Sequence, residues 1–263
     1  MPDLPNKPRS ELNLVQLVPN LITLAAMCAG LTGIRFAISG QYPAAVAMIL
    51  VAAVLDGLDG RIARLLRSES EMGAELDSLV DFVNFGVAPG LIIYMWGLHE
   101  LKNGGWIATL VYASCCLLRL ARFNIGNRLG QDKMVGQDKT GAEKPAPGSF
   151  TGVPSPAGAM LAMLPAYVAF MSPDLPQLPP MLLGLYLVLI GGLMISRFPT
   201  PSFKSIKFYA EYARYVIVGF VGLIAALLSF PWETMVVISV GYVGILVFAL
   251  WQSRKPRRPK GSA

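Results

Sequence analysis

Eight stretches of at least 16 residues contain no Asp, Glu, Lys or Arg: 12–34, 36–55, 82–99, 103–118, 145–173, 175–196, 215–232 and 234–253. A hydrocarbon core about 30 Å thick takes roughly 20 apolar residues of helix to cross. Each stretch is near that length, so the chain is predicted to be an all-α integral membrane protein, a bundle of about eight transmembrane helices. A closed β-barrel is the other way to satisfy every backbone group in lipid. Barrel strands alternate over segments of about ten residues, and these stretches do not alternate. Charged residues make up 14% of the chain and hydrophobic residues 54%. A soluble domain carries about 25% charged residues, so a solvated globule and a disordered chain are both excluded.

The helices are expected at about 18–38, 43–66, 74–97, 106–123, 154–171, 180–197, 214–230 and 233–252. Cytoplasmic loops carry the excess of Lys and Arg. With the N-terminus inside, 20 of the 22 Lys and Arg fall at that side, the exceptions being Arg35 and Lys102. Both termini are therefore expected in the cytoplasm, which agrees with an even number of spans. The chain divides into an N-terminal segment 1–17, a membrane domain 18–252 and a basic tail 253–263. Residues Leu12–Val18 read as a short interfacial helix or as the lead into the first span. The first 17 residues include Pro, Asp and Glu, so no cleavable signal peptide is expected. The stretch Asn124–Phe150 reads as a loop over the membrane face. The tail Arg254–Lys260 is either a headgroup anchor or a plain orientation signal. No nucleic-acid surface is expected, because the aromatic residues lie in the spans. Cys28, Cys115 and Cys116 sit in apolar runs and read as packing residues.

The acids are not scattered. Asp56 and Asp59 are three apart at the end of the second span, and Asp77 and Asp81 are four apart at the start of the third. On helices each pair shares a face. A turn around 67–72 joins the two helices, so the pairs can face each other. One such charge at a helix centre costs roughly 2.5–3.5 kcal/mol, and mutual repulsion adds to that. Protons, cations or the nearby Arg61, Arg64 and Arg67 must offset the cost. An all-oxygen ligand set suits Mg²⁺, Mn²⁺ or Ca²⁺, whereas His99 belongs to the opposite membrane face and no Cys is near enough for zinc. Gly57, Gly60 and Gly73 leave room for close helix approach or for a ligand against backbone.

The pattern Asp56-x-x-Asp59-Gly60-x-x-Ala63-Arg64, eight residues, Gly73-x-x-x-Asp77-x-x-x-Asp81 resembles the signature of the CDP-alcohol phosphotransferases. The resemblance implies an integral membrane enzyme that cleaves a CDP-alcohol and releases CMP. It implies one or two divalent cations, Mg²⁺ or Mn²⁺, held by Asp56, Asp59, Asp77 and Asp81, with Asp81 also the general base. Gly60, Ala63, Arg64 and Gly73 would lie along the cytidine diphosphate. Relatives imply a homodimer. Such chemistry needs neutralised phosphate oxygens and an aligned nucleophile, and two metals can clamp attacking and leaving oxygens.

Three further segments bear on the acceptor. Asn20 and Thr23, three apart at the start of the first span, either touch phosphate or cap and pack the helix. Arg119 and Arg122, three apart before Asn124, form a pocket for a carboxylate or phosphate, or serve as positive-inside anchors. Phe150-Thr-Gly-Val-Pro-Ser-Pro156 opens the fifth span. Together these segments are similar to the membrane-bound phosphatidylserine synthases over most of residues 15–200. The resemblance implies CDP-diacylglycerol as donor and L-serine as acceptor, with Arg119, Arg122 and Asn124 at the serine. It implies an active site facing the cytoplasm from the inner membrane. Glycerol 3-phosphate, inositol or choline as acceptor keeps the same mechanism. A cation transporter with a carboxylate transit site is the reading from another class, although such sites favour the bilayer midplane.

Overall fold

The computed structural model describes residues 14–66, 68, 70–135, 150–174, 176–196, 199–200 and 213–253. The basic tail, most of the N-terminal segment and residues 136–149 of the expected loop lie outside the described residues, as does Arg67.

Helices α1 (Leu14–Ile38) and α2 (Tyr42–Leu65) form an antiparallel hairpin around a turn at 39–41. Small residues are buried on both helices, Ala26, Ala29 and Ala37 on α1 and Ala45 and Ala52 on α2, and a Cβ at Gly33 of α1 would meet the Ala45 carbonyl at 3.0 Å. In lipid, helices associate by close packing rather than by water exclusion, and small side chains allow it. A continuous helical rod then runs from Glu71 to Leu101. It comprises α3 (Glu71–Asp81), a π-helical stretch Phe82–Val87, α4 (Ala88–Ile93), a second π-helical stretch Tyr94–Leu98 and a 3₁₀ turn His99–Leu101. Ser70 caps α3, its Oγ accepting from the Gly73 N–H at 3.0 Å. The long helix α5 (Asn103–Val135) follows, then α6 (Ser155–Ala162), α7 (Leu164–Met171), α8 (Pro180–Ile195), α9 (Ala213–Ser229) and α10 (Pro231–Ser253). Two short strands, β1 (Phe150–Thr151) and β2 (Pro199–Thr200), pair antiparallel, with Phe150 opposite Thr200. The remaining regular structure among the described residues is helical.

Five helical segments are long and apolar enough to cross a membrane: Leu17–Ile38, Tyr42–Leu65, Glu71–Leu101, Asn103–Gly126 and Pro231–Ala249. The other expected spans are shorter. Helix α8 has 16 residues, about 24 Å at 1.5 Å per residue, against a core of about 30 Å. The stretch expected as one span at 154–171 is two helices of eight residues each, α6 and α7, broken at Met163. The cause is Pro165, which lacks the N–H that would bond the Leu161 carbonyl and whose ring crowds that carbonyl. The freed oxygen is not wasted: Tyr186 of α8 donates its hydroxyl to Leu161 O at 2.6 Å. The expected loop from Asn124 begins later, because α5 continues to Val135.

The rod obeys the same rule. Pro89 cannot donate to the Phe85 carbonyl, and Tyr112 of α5 donates to that oxygen at 2.8 Å. Tyr42 of α2 donates to Met95 O in the second π-helical stretch at 2.9 Å. Carbonyls in three irregular turns, Leu161, Phe85 and Met95, thus accept from a tyrosine of another helix, which suits an apolar medium. At the far end from the aspartates, Trp232 of α10 stacks on Tyr167 at 6.4 Å and meets Phe170 edge-on at 5.0 Å. This aromatic cluster docks α10 onto α7.

Tyr112→Phe should leave Phe85 O buried without a donor and lower unfolding stability by about 1 kcal/mol. Adding Pro89→Ala, which restores an N–H for that carbonyl, should recover part of the loss. Denaturant unfolding of single and double variants in detergent checks this; simple additivity would contradict it.

Candidate active site

Helix α2 carries Asp56 and Asp59 one turn apart, and α3 carries Asp77 and Asp81 one turn apart. The Ser70 cap starts α3 at Glu71, which turns Asp77 back toward α2. Carboxylate oxygens of Asp56, Asp59 and Asp77 all lie within 4.8 Å of one another. Asp81 stands in hydrogen-bonding contact with Asp56 rather than within that triad. Two carboxyls in such contact need a shared proton or a cation between them.

Protein donors answer only part of this charge. Asp59, 3% exposed, accepts from Thr23 Oγ1 at 2.6 Å and from the Gly60 N–H at 2.5 Å. Asp56 Oδ1 and Asp81 Oδ1 are buried with no hydrogen-bond partner. Arginine does not fill the gap from α2: Arg61 is exposed, and Arg64 turns its Nε to the Gly60 carbonyl of its own helix at 2.9 Å. Three carboxylates gathered within 4.8 Å, one of them with an unpartnered buried oxygen and with oxygen the only donor atom, fit a hard divalent cation. The residues present therefore fit Mg²⁺ or Mn²⁺.

Beside the triad opens a cavity of about 490 Å³, lined by Pro19, Asn20 and Thr23 of α1, Asp59, Gly60 and Ala63 of α2, Ser68 and Ser70 of the turn, and Glu71, Gly73, Ala74 and Asp77 of α3. Of the residues expected along cytidine diphosphate, Asn20, Thr23, Gly60, Ala63 and Gly73 line it; Arg64 does not. At Gly73 α1 lies close, because a Cβ there would meet Asn20 Oδ1 and Ser70 Oγ at 3.0 Å. A Cβ at Gly60 or Gly57 would meet nothing within 4 Å, so those glycines are not needed for helix packing. Ser68 was not anticipated from sequence, yet its Oγ is buried without a partner at the cavity wall. A serine in a turn carries no signal of that kind.

The two arginines of α5 part company. Arg122 is exposed and donates Nη1 to the Ile195 carbonyl at the end of α8, at 2.9 Å. Arg119 is partly buried; its Nη1 donates to Ser155 Oγ at 2.5 Å and its Nε is buried without a partner. Arg119 and Asp81 act on each other electrostatically. Asn124 is bound to Ser78 of α3, Nδ2 to Oγ at 2.9 Å, which ties α5 to the rod between Asp77 and Asp81. The structure therefore brings Arg119 toward the carboxylates and leaves Arg122 and Asn124 occupied by protein partners.

The chain resembles known proteins. Residues 16–195 match the CDP-alcohol phosphatidyltransferase family, and residues 211–246 match the family described as CDP-alcohol phosphatidyltransferase 2. A CDP-diacylglycerol–serine O-phosphatidyltransferase of Mycobacterium leprae is 36% identical over 253 residues, covering 95% of this chain and 80% of its own. Proteins of the same name from Helicobacter pylori (34% identical, 74% of this chain and 76% of theirs) and Bacillus subtilis (32%, 71% and 91%) are also similar. With the family match spanning most of the chain and full-length relatives above 30% identity, the chain belongs to the CDP-alcohol phosphatidyltransferase family.

Proposed function

We propose that this protein transfers the phosphatidyl group of CDP-diacylglycerol to L-serine and releases CMP, a step of phospholipid biosynthesis. The observation that carries the reading is the set of unmatched groups around Asp81. Carboxylate oxygens of Asp56 and Asp81 and the Nε–H of Arg119 are all buried without a partner, and Arg119 and Asp81 act on each other electrostatically. Serine brings a hydroxyl proton for Asp81 and a carboxylate for Arg119. Inositol and choline have no carboxylate. The names of the relatives support serine over glycerol 3-phosphate.

In this reading the cytidine diphosphate occupies the cavity beside Asn20, Thr23, Gly60, Ala63 and Gly73, with Arg64 at its rim and the acyl chains in the bilayer. Asp56, Asp59, Asp77 and Asp81 hold divalent ions, two of them, Mg²⁺ or Mn²⁺. Bound ions of this kind neutralise pyrophosphate oxygens and stabilise the departing one. Asp81 accepts the proton of the serine hydroxyl as its oxygen bonds to the β-phosphorus. The bond from that phosphorus to the bridging oxygen breaks, and CMP leaves with the electron pair. Arg119 holds the serine carboxylate; Arg122 and Asn124 act from behind by fixing α5 to α8 and α3.

The distribution of Lys and Arg supports eight crossings, with α6 and α7 together making one of them. It also supports cytoplasmic termini and an active site facing the cytoplasm from the inner membrane. The catalytic domain spans 18–252.

Purified protein given CDP-diacylglycerol, Mn²⁺ and one acceptor at a time should release CMP with L-serine alone. Release with another alcohol would reassign the acceptor, and ion flux without release would favour a transporter. Asp81→Asn should lose turnover while still binding CDP-diacylglycerol; near-normal rates would remove Asp81 as the base.

Thr23→Val deletes the donor to Asp59 at nearly constant volume. It should weaken Mn²⁺ binding by about tenfold or more, the usual cost of losing a group that orients a ligand. Mn²⁺ titration followed by electron paramagnetic resonance reads this directly, and unchanged affinity would contradict the assignment.

A further inference from the structure

We propose that Ser155 is a positioning residue for the acceptor: it grips one nitrogen of Arg119 so that another edge of the guanidinium stays free for a carboxylate. This rests on the serine-transfer reading above. Ser155 is 0% exposed and opens α6. Arg119 has only donors, so the Ser155 oxygen must accept from Nη1. That leaves the hydroxyl proton for Cys116 Sγ, which is hydrogen-bonded to Ser155 and lies one turn before Arg119 on α5. Both capacities of the hydroxyl are then used, and its direction is set.

Ser155 itself is pinned. The Val153 N–H donates to Leu193 O at 3.3 Å at the end of α8. Gly152 has φ +86°, and a Cβ there would come within 2.6 Å of the Met194 and Ser196 carbonyls. Only glycine lets this strand-like lead-in lie so tightly on α8. Arg122 grips the next carbonyl, Ile195 O. Residues 152–155 therefore cannot slide along α8, and the Ser155 oxygen is presented to Arg119 from a fixed point. A free arginine would sample many rotamers and turn toward Asp81. Held by Ser155, it keeps its buried Nε–H unpartnered, a donor poised for an incoming anion.

The test is a double-mutant cycle on the full chain in lipid–detergent micelles, following CMP release at varied L-serine and CDP-diacylglycerol. Ser155→Ala should raise the serine KM about tenfold, the worth of one hydrogen bond to a charged group. Its kcat and its KM for CDP-diacylglycerol should stay within about twofold of the parent. With Arg119→Ala already present, Ser155→Ala should change kcat/KM for serine no further. Ser155→Cys, similar in size but a poor acceptor, should behave like Ser155→Ala and serves if the alanine variant does not fold. Equal changes in both KM values, or effects that multiply in the double variant, would overturn the role of Ser155. An unchanged serine KM in Arg119→Ala alone would overturn the serine pocket itself, a separate outcome.

Discussion

Four carboxylates share one end of two adjoining helices, and most of the fold follows from making that tolerable. Each charge at a helix centre in a bilayer costs roughly 2.5–3.5 kcal/mol on insertion scales. Thr23 and the Gly60 N–H answer Asp59, but the orphaned oxygens of Asp56 and Asp81 have no protein donor. A chain that only needed stability would have spent an arginine there. Leaving the oxygens unmatched, beside a cavity of about 490 Å³, is the arrangement of a protein that receives cations together with a pyrophosphate.

Placing those acids requires rods that bend without exposing backbone. The Glu71–Leu101 helix passes through two π-helical stretches and Pro89. Its loose carbonyls are bound by Tyr112 and Tyr42 from neighbouring helices. The α6–α7 break at Pro165 is repaired by Tyr186. The tyrosines therefore do two jobs: they satisfy oxygens in an apolar medium and they set the register between helices. Register at the Phe82–Val87 stretch decides the direction of Asp81, which lies just before it.

Much of this was legible in the chain itself. The carboxylate pairs could be read because three- and four-residue spacing leaves little freedom on a helix. The nearness of Asn20 and Thr23 to the acids followed from their matching depth in the first span. Other features were hidden for physical reasons. The stretch 154–171 reads as one span; its break at Pro165 is stabilised by the hydroxyl of Tyr186, which binds the Leu161 carbonyl 25 residues away. Arg119 and Arg122 look alike in sequence, and their division of labour depends on which one finds a carbonyl at the end of α8. Asn124 read as a loop residue because Gly126 and polar neighbours follow it, yet α5 carries on to Val135. Ser155 lies in the Phe150–Pro156 segment that bears on the acceptor, but nothing in its spacing ties it to Arg119, since a serine at a helix start is ordinarily a cap.

The central claim is that the aspartates at the ends of α2 and α3 grip divalent ions that in turn hold a pyrophosphate. Anomalous diffraction from crystals grown with Mn²⁺ and CDP-diacylglycerol tests it most directly. The account predicts manganese peaks within coordination distance of Asp56, Asp59 and Asp77, with the donor's phosphates on the same ions. Manganese absent from that position, or phosphates bound away from it, would contradict the account.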